Sequence, residues 1–106
     1  MIEDRRSSLR IVGPFEAMRT GGQRLELSNL SEGGCFVNSF EKPIPGRRWT
    51  LRIELPIEGW IAVTAETLYT RTGYGYGVKF VDINPEDRAR LTRCLDELGE
   101  EPLELA

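Results

Sequence analysis

The feature that most constrains this chain is a strict alternation over residues 49–55. Trp49, Leu51, Ile53 and Leu55 are apolar, and Thr50, Arg52 and Glu54 between them are polar. A period of two puts the apolar set on one face of a strand and the polar set on the other. The four residues 56–59 then read as a hairpin turn. Residues 60–71 follow as a long strand rich in β-branched and aromatic side chains. Within it Ile61, Val63 and Ala65 share a face while Leu68 falls out of phase. A bulge or a change of sheet is therefore expected near Glu66.

The rest of the chain extends this pattern. Residues 11–19 form a strand interrupted by Gly13-Pro14, the mark of a bulge or an edge position. Thr20-Gly21-Gly22 is a turn signal. Residues 23–28 alternate, with Leu25 and Leu27 on one face. Residues 35–38 form a short strand, and 41–48, with Pro43, Pro45 and Gly46, a loop. Gly73 to Gly75 turns the chain and 76–80 returns. Asn84-Pro85 opens the one clear helix, with Asn84 as cap and Pro85 in the first turn. Leu91, Cys94 (or Leu95) and Leu98 recur as one apolar stripe, and Gly99 closes the helix. Five or six short antiparallel strands followed by one helix give a mainly β architecture, a small β-barrel with a helix on one mouth. Residues 1–10 are read as a flexible arginine-rich arm, 11–99 as the barrel and its helix, and 100–106 as an acidic tail.

Composition narrows the function classes. The 106 residues suffice for one compact domain. No apolar run approaches the ~18 residues of a membrane span. Met1-Ile2-Glu3-Asp4 leads into no apolar stretch, so no secretory signal is read and a cytoplasmic location is expected. Cys35 and Cys94 lie far apart and are read as reduced, partly buried thiols. With no histidine, no P-loop and no cysteine pair at ligand spacing, an enzyme, a metal or a cofactor has few candidate groups. Asp82, Glu58 and Glu66 are isolated acids. The net charge of −3 argues against a binder of nucleic-acid polymers. From Asn84 onward, however, seven acids face three bases, which leaves the first 83 residues at +1. A local basic site is compatible with that balance.

Two polar segments supply such a site. Asn29-Leu30-Ser31-Glu32-Gly33-Gly34 joins residues 23–28 to 35–38. Asn and Ser side chains fold back on nearby backbone, and glycines permit positive φ and close approach. The bland reading is a tight β-turn. The other is a cradle that exposes backbone N–H groups to a polar ligand. Upstream, Arg6-Ser7-Ser8-Leu9-Arg10 sets two guanidiniums four residues apart, with Arg5 directly before them. Alone, that is a solvated tail. If Gly21 and Gly22 centre a hairpin, residues 11–13 return beside 29–31. Arg10 then lies across from residues 31–33, and Arg6 can fold over it. Arginine forks pair bidentately with phosphate and with guanine O6/N7, and they stack on base faces. Asn29 can meet a base edge and Ser31 a phosphate or base oxygen.

Arg6-x-x-x-Arg10 followed after a strand by Asn29-x-Ser31-x-x-Gly34 resembles the PilZ domain family. Tyr76-Gly77-Val78-Lys79-Phe80 is similar to the strand that precedes that family's C-terminal helix. The resemblance covers about residues 5–98 and departs little, with Asn29 where Asp is also usual. It implies a six-stranded antiparallel β-barrel with one C-terminal α-helix and a receptor for the bacterial second messenger cyclic di-GMP. Arg6 and Arg10 would grip phosphates and guanines. Asn29, Ser31, Gly33 and Gly34 would hold the first guanine against the barrel. Arg5 occupies the place where a further arginine goes with binding of two stacked ligand molecules per chain. The signal of a single-domain member would pass to a partner protein that the sequence does not name.

Two other readings compete with the receptor. One is a PilZ-like interaction adaptor that sets its arginines on an acidic partner surface. The other is a small enzyme, short of candidate groups. Tyr69, Tyr74 and Tyr76, with Trp49 and Trp60, can also be read as a base-stacking platform. Trp49 is in phase with Leu51 and Ile53 and is assigned to the core, while Trp60 and Tyr74 flank turns and are expected at the surface.

Overall fold

The computed structural model describes residues 9–101. Its strands are β1 (Phe15–Arg19), β2 (Gln23–Ser28), β3 (Gly34–Asn38), β4 (Arg48–Leu55), β5 (Gly59–Arg71) and β6 (Gly75–Ile83), followed by helix α1 (Pro85–Leu98). The strands close an antiparallel barrel in the order β1-β2-β3-β6-β5-β4. The alternation that anchors the sequence reading lies on β4. Leu51, Ile53 and Leu55 are buried, and Thr50, Arg52 and Glu54 are exposed. β4 pairs with β5 along its whole length, from Arg48 opposite Glu66 to Leu55 opposite Gly59. The inward rows of all six strands meet in one core with Leu30, Leu91, Cys94 and Leu95. Each fully hidden Leu or Ile there is worth roughly 1.5–3 kcal/mol against exposure.

Two irregularities shape the face described below. β5 and β6 lose register between Thr64 and Ala65 and again between Thr67 and Tyr69, on either side of Glu66. At the second, Thr67 faces Val78 and Tyr69 faces Gly77, so Leu68 is the extra residue. Ile61, Val63, Ala65 and Thr67 point inward, but beyond the bulge Tyr69 and Arg71 point outward. In a regular strand of the same sequence Leu68 would be the outward residue and Tyr69 would continue the inward row. The second irregularity is at Gly13-Pro14. Phe15 lies opposite Leu27, yet Ile11 lies opposite Leu30. Three residues, 12 to 14, therefore span the same interval as two, 28 and 29.

Asn84 caps α1 as expected, its side-chain oxygen accepting from the Asp87 N–H at 2.8 Å. The Asp87 carboxylate in turn accepts from the Ala62 N–H of β5 at 3.0 Å. Arg93 pairs with Glu58 in the β4–β5 turn at 3.0 Å. Leu91, Cys94 and Leu95 are buried, whereas Leu98, expected in the same stripe, is 40% exposed. Gly99 ends the helix with an N–H to the Leu95 carbonyl, but its φ is −70°. What needs a glycine there is space, since a methyl group would meet that carbonyl oxygen and the Leu9 side chain.

Trp49 is only half buried. Its indole N–H donates to Thr67 Oγ1 at 3.1 Å, and the Arg19 guanidinium lies 4.9 Å from the ring centroid. It packs against the core from its edge, with Tyr76 wholly buried and edge-on to it at 6.4 Å. Cys35 and Cys94 are both buried free thiols, and burial pushes both pKa values up. Trp60 and Tyr74 are exposed at 41% and 71%.

Candidate functional site

The turn after β2 is held from both sides. The Asn29 N–H donates to the Val12 carbonyl, and Ile11 and Leu30 exchange both backbone bonds, each at 2.9 Å. Leu30 is fully buried and pins the turn to the core. The Ser31 N–H and hydroxyl both donate to the Gly34 carbonyl, at 2.8 and 3.2 Å. The Ser31 hydroxyl proton is thus committed to the turn, and what the group still offers is an acceptor oxygen. The Gly33 carbonyl accepts from the Phe80 N–H at 2.8 Å.

The glycines act differently from the sequence expectation. Neither Gly33 nor Gly34 has positive φ; the left-handed residue of the turn is Asn29, at φ 52°, a conformation that Asn tolerates better than most residues. Gly33 is exposed and has open space where a side chain would go. Gly34 is buried, and a methyl group there would run into the Val78 carbonyl oxygen and lie 3.1 Å from the Lys79 Cα. Gly34 is required by the β3–β6 contact.

Arg10 belongs to the same face. It exchanges backbone bonds with Glu100, at 3.0 and 2.8 Å, so the segment before the barrel is stitched to the segment after α1. Its guanidinium makes no ion pair or hydrogen bond with another described residue. Arg10, Asn29, Ser31, Gly33 and Gly34 all line one cleft of about 740 Å³, within the usual ~300–1,000 Å³ of ligand sites. Arg5 and Arg6 lie outside the described residues.

The rest of the lining comes from β5, β6 and the turn between them, which the motif reading did not single out as ligand-binding. It carries Tyr69, Arg71, Tyr74 and Lys79, with Phe36 and Asn38 from β3. Lys79 is tied to Glu66 at 3.4 Å. Arg71, like Arg10, has no side-chain partner among the described residues. Among the described residues no acid lines the cleft, although the chain as a whole carries −3. Arg10 and Arg71, without carboxylate partners among the described residues, focus positive potential on this concave surface. Among the described residues no cluster of three or more His, Cys, Asp or Glu could hold a metal ion. None of the described helices is long and apolar enough to cross a membrane. The signal for the β5 wall was present in the out-of-phase Leu68, which marks a bulge in this strand without showing which residues come to face the cleft.

A six-stranded barrel with a C-terminal helix and a cationic cleft at the turn after β2 defines a small β-barrel binding domain. The PilZ domain model matches residues 3–97, and the chain belongs to that family, whose members are cyclic di-GMP receptors and adaptors. Solved structures agree on the fold. The inhibitor of motility MotI/DgrA of Bacillus subtilis aligns at TM-score 0.73 and 19% identity over 90% of this chain. An uncharacterised Legionella protein aligns at TM-score 0.63 and 16% identity over 84% of this chain and 91% of its own. MrkH of K. pneumonia in its apo state aligns at TM-score 0.61 and 17% identity over 92% of this chain. The chain spans 51% and 52% of the Bacillus subtilis and K. pneumonia proteins respectively. No curated protein matches the sequence.

Proposed function

We propose that this PilZ domain is a cytoplasmic receptor for cyclic di-GMP that passes the bound state to a partner protein. The observation that carries the reading is one cleft, lined by no acid among the described residues, that brings Arg10, whose guanidinium has no partner among them, together with Asn29 and Ser31. A cyclic dinucleotide offers what that cleft complements: two phosphates for guanidinium forks and guanine edges for amide and hydroxyl groups. The Ser31 oxygen accepts from a guanine N–H, and the free Asn29 amide reads the base edge. Arg6 joins Arg10 on phosphate and O6/N7. Gly33 leaves the turn open to solvent, and Gly34 keeps it seated on β6.

Two stacked ligands bring four phosphates together, and Arg5, Arg6 and Arg10 screen their repulsion. Isothermal titration of the purified protein with cyclic di-GMP tests the reading. Saturation at two ligands per chain is expected, falling towards one in Arg5→Leu. Absence of binding overturns the receptor and leaves the adaptor. Saturation of the wild type at one ligand, or two still taken up by Arg5→Leu, removes the role of Arg5.

A further inference from the structure

The connections 20–22, 39–47 and 72–74 share one end of the barrel, and α1 lies at the other. The longest of them, 39–47, is tied down on two sides. Glu41 is its only acid, and that carboxylate accepts from Arg19 at 3.1 Å and from the Gln23 amide at 2.8 Å. Further on, the Gly46 N–H donates to the Thr67 carbonyl at 2.7 Å, and the Thr67 N–H donates to the Arg47 carbonyl at 3.0 Å. What the loop leaves outside is apolar and cationic. Phe40 is 89% exposed, the most of any large apolar side chain among the described residues, and Ile44 is 63% exposed. Pro43 and Pro45 flank Ile44. The Lys42 and Arg47 side chains have no partner among the described residues. With the Arg19–Glu41 pair they line a cleft of about 360 Å³ against Trp49.

A phenyl ring and an isoleucine exposed on one short loop leave apolar surface in water. The cations beside them set the sign of the surface that covers it. We propose that the 39–47 loop docks on an anionic lipid surface. Phe40 and Ile44 enter the boundary between headgroups and acyl chains, and Lys42 and Arg47 bind lipid phosphates, with no segment spanning the bilayer. A bilayer accepts protruding side chains wherever they stand, whereas a folded partner needs a pocket shaped for each. Pro43 and Pro45 fix two φ angles, so little backbone freedom is lost on docking. The rest of the molecule orients the approach. Residues 85–101 hold six acids against three bases, so an anionic plane repels the α1 end and draws the loop end. The Asn29–Gly34 turn is at the α1 end, where Arg88 of the helix reaches Glu32 at 4.0 Å. The docking loop is therefore separate from the motif turn and does not depend on the receptor reading.

Co-sedimentation with vesicles of mixed phosphatidylglycerol and phosphatidylcholine, against phosphatidylcholine alone, tests the proposal. Binding is expected to the anionic vesicles only, weakening as added salt shortens the Debye length. Phe40→Ala should weaken it about tenfold, the loss of one aromatic side chain from the boundary. Lys42→Ala and Arg47→Ala should each weaken it about fivefold, the effect of one cation near an anionic surface. These three side chains are exposed, so the variants should melt within about 3 °C of wild type. Ile57→Gly removes a comparably exposed apolar side chain from the α1 end and should bind as the wild type does. In Phe40→Trp, the emission of the introduced indole should shift to the blue when anionic vesicles are added. The proposal is overturned if the wild type ignores anionic vesicles at low salt. It is overturned equally if Phe40→Ala binds them within about twofold of wild type, or if Ile57→Gly loses as much as Phe40→Ala. Polyglutamate is the second probe: if it binds through Lys42 and Arg47 while vesicles do not bind, the loop is a surface for an acidic protein and the lipid reading falls.

Discussion

Replacing Gly34 by Ala separates two roles that its place in the Asn29-x-Ser31-x-x-Gly34 motif merges. A residue needed to admit ligand should leave the fold alone when a methyl is added; a residue needed by the barrel should not. At Gly34 the added carbon runs into the Val78 carbonyl oxygen and lies 3.1 Å from the Lys79 Cα, both backbone atoms of the paired strand. Neither can swing aside as a side chain would. The β3–β6 ladder, from Gly34 opposite Lys79 to Asn38 opposite Gly75, must part at its first rung. Overpacking of this kind costs about 2 kcal/mol. For a domain of this size that lowers the melting temperature by about 10 °C. Gly33→Ala is the internal control, because the adjacent residue has open space and no positive φ. It should melt within about 2 °C of wild type or slightly higher, since Ala loses less backbone entropy on folding. Thermal unfolding followed by circular dichroism, with urea titration as a second measure, reads both. A Gly34→Ala protein that melts with the wild type would refute the argument that the glycine is demanded by the strand contact. If such a variant also failed to bind, the ligand-space reading would replace it.

The remaining predictions concern the cleft, one ion pair, one strained residue and the thiols. Arg10→Ala should lower cyclic di-GMP affinity about tenfold or more with no change in melting temperature, because its exposed guanidinium has no partner among the described residues; unchanged affinity would favour the adaptor. The hydrogen bond from Arg48, helped by the charge of Lys79 and opposed by partial desolvation, holds the Glu66 carboxyl below its ordinary range. A depressed carboxylate stabilises the fold above its unfolded pKa of about 4.3 and loses that contribution as pH falls through the lower folded value. The melting temperatures of wild type and Glu66→Gln should therefore converge on the acid side, and a constant gap down to about pH 2 would exclude the linkage. Ile57 is β-branched, 79% exposed and held at φ 71°. Ile57→Gly should raise stability by about 1 kcal/mol, strain relief outweighing the added unfolded-state entropy, and a lower urea midpoint would contradict this. Iodoacetamide should label Cys35 and Cys94 only after unfolding, since both thiols are buried and their pKa values raised; prompt labelling of the native protein would count against their burial.

The fold was legible wherever one physical signal dominated. On β4 the alternation decides which side chains enter the core, because a one-residue slip would expose Leu51, Ile53 and Leu55 together. The Asn84-Pro85 start of α1 was legible because capping is local chemistry. Ends that depend on tertiary approach were not. Gly99 closes the helix as read, but with extended backbone, and its lack of a side chain answers to the Leu95 carbonyl and to Leu9 from the other end of the chain. Leu98 completes a helical stripe on paper, but it stays 40% exposed at the last turn of the helix. Trp49 keeps the phase of its strand, but its indole N–H needs an acceptor. It finds one at Thr67 while Arg19 covers the ring, so it stays half exposed.

The site divides along the same line. Half of it is a short-range pattern, Asn29 to Gly34, whose turn chemistry can be recognised residue by residue. Even there the roles were exchanged: the left-handed residue is Asn29, and the indispensable glycine is indispensable because of Val78, a residue 44 positions away. The other half depends on register. Tyr69 lines the cleft because Leu68 is bulged out, and its ring comes close over Gly77, which stands opposite it in β6. Sequence shows that Leu68 is out of phase, but it does not show which side of the bulge absorbs the slip or which residue comes to face Tyr69. A glycine in a strand weakens it unless something packs on the bare backbone. Gly75 and Gly77 are therefore informative once Phe36 and Tyr69 are seen to cover them. The same two positions that look like weak points in β6 are what turn a cylindrical barrel wall into a trough with an aromatic lining.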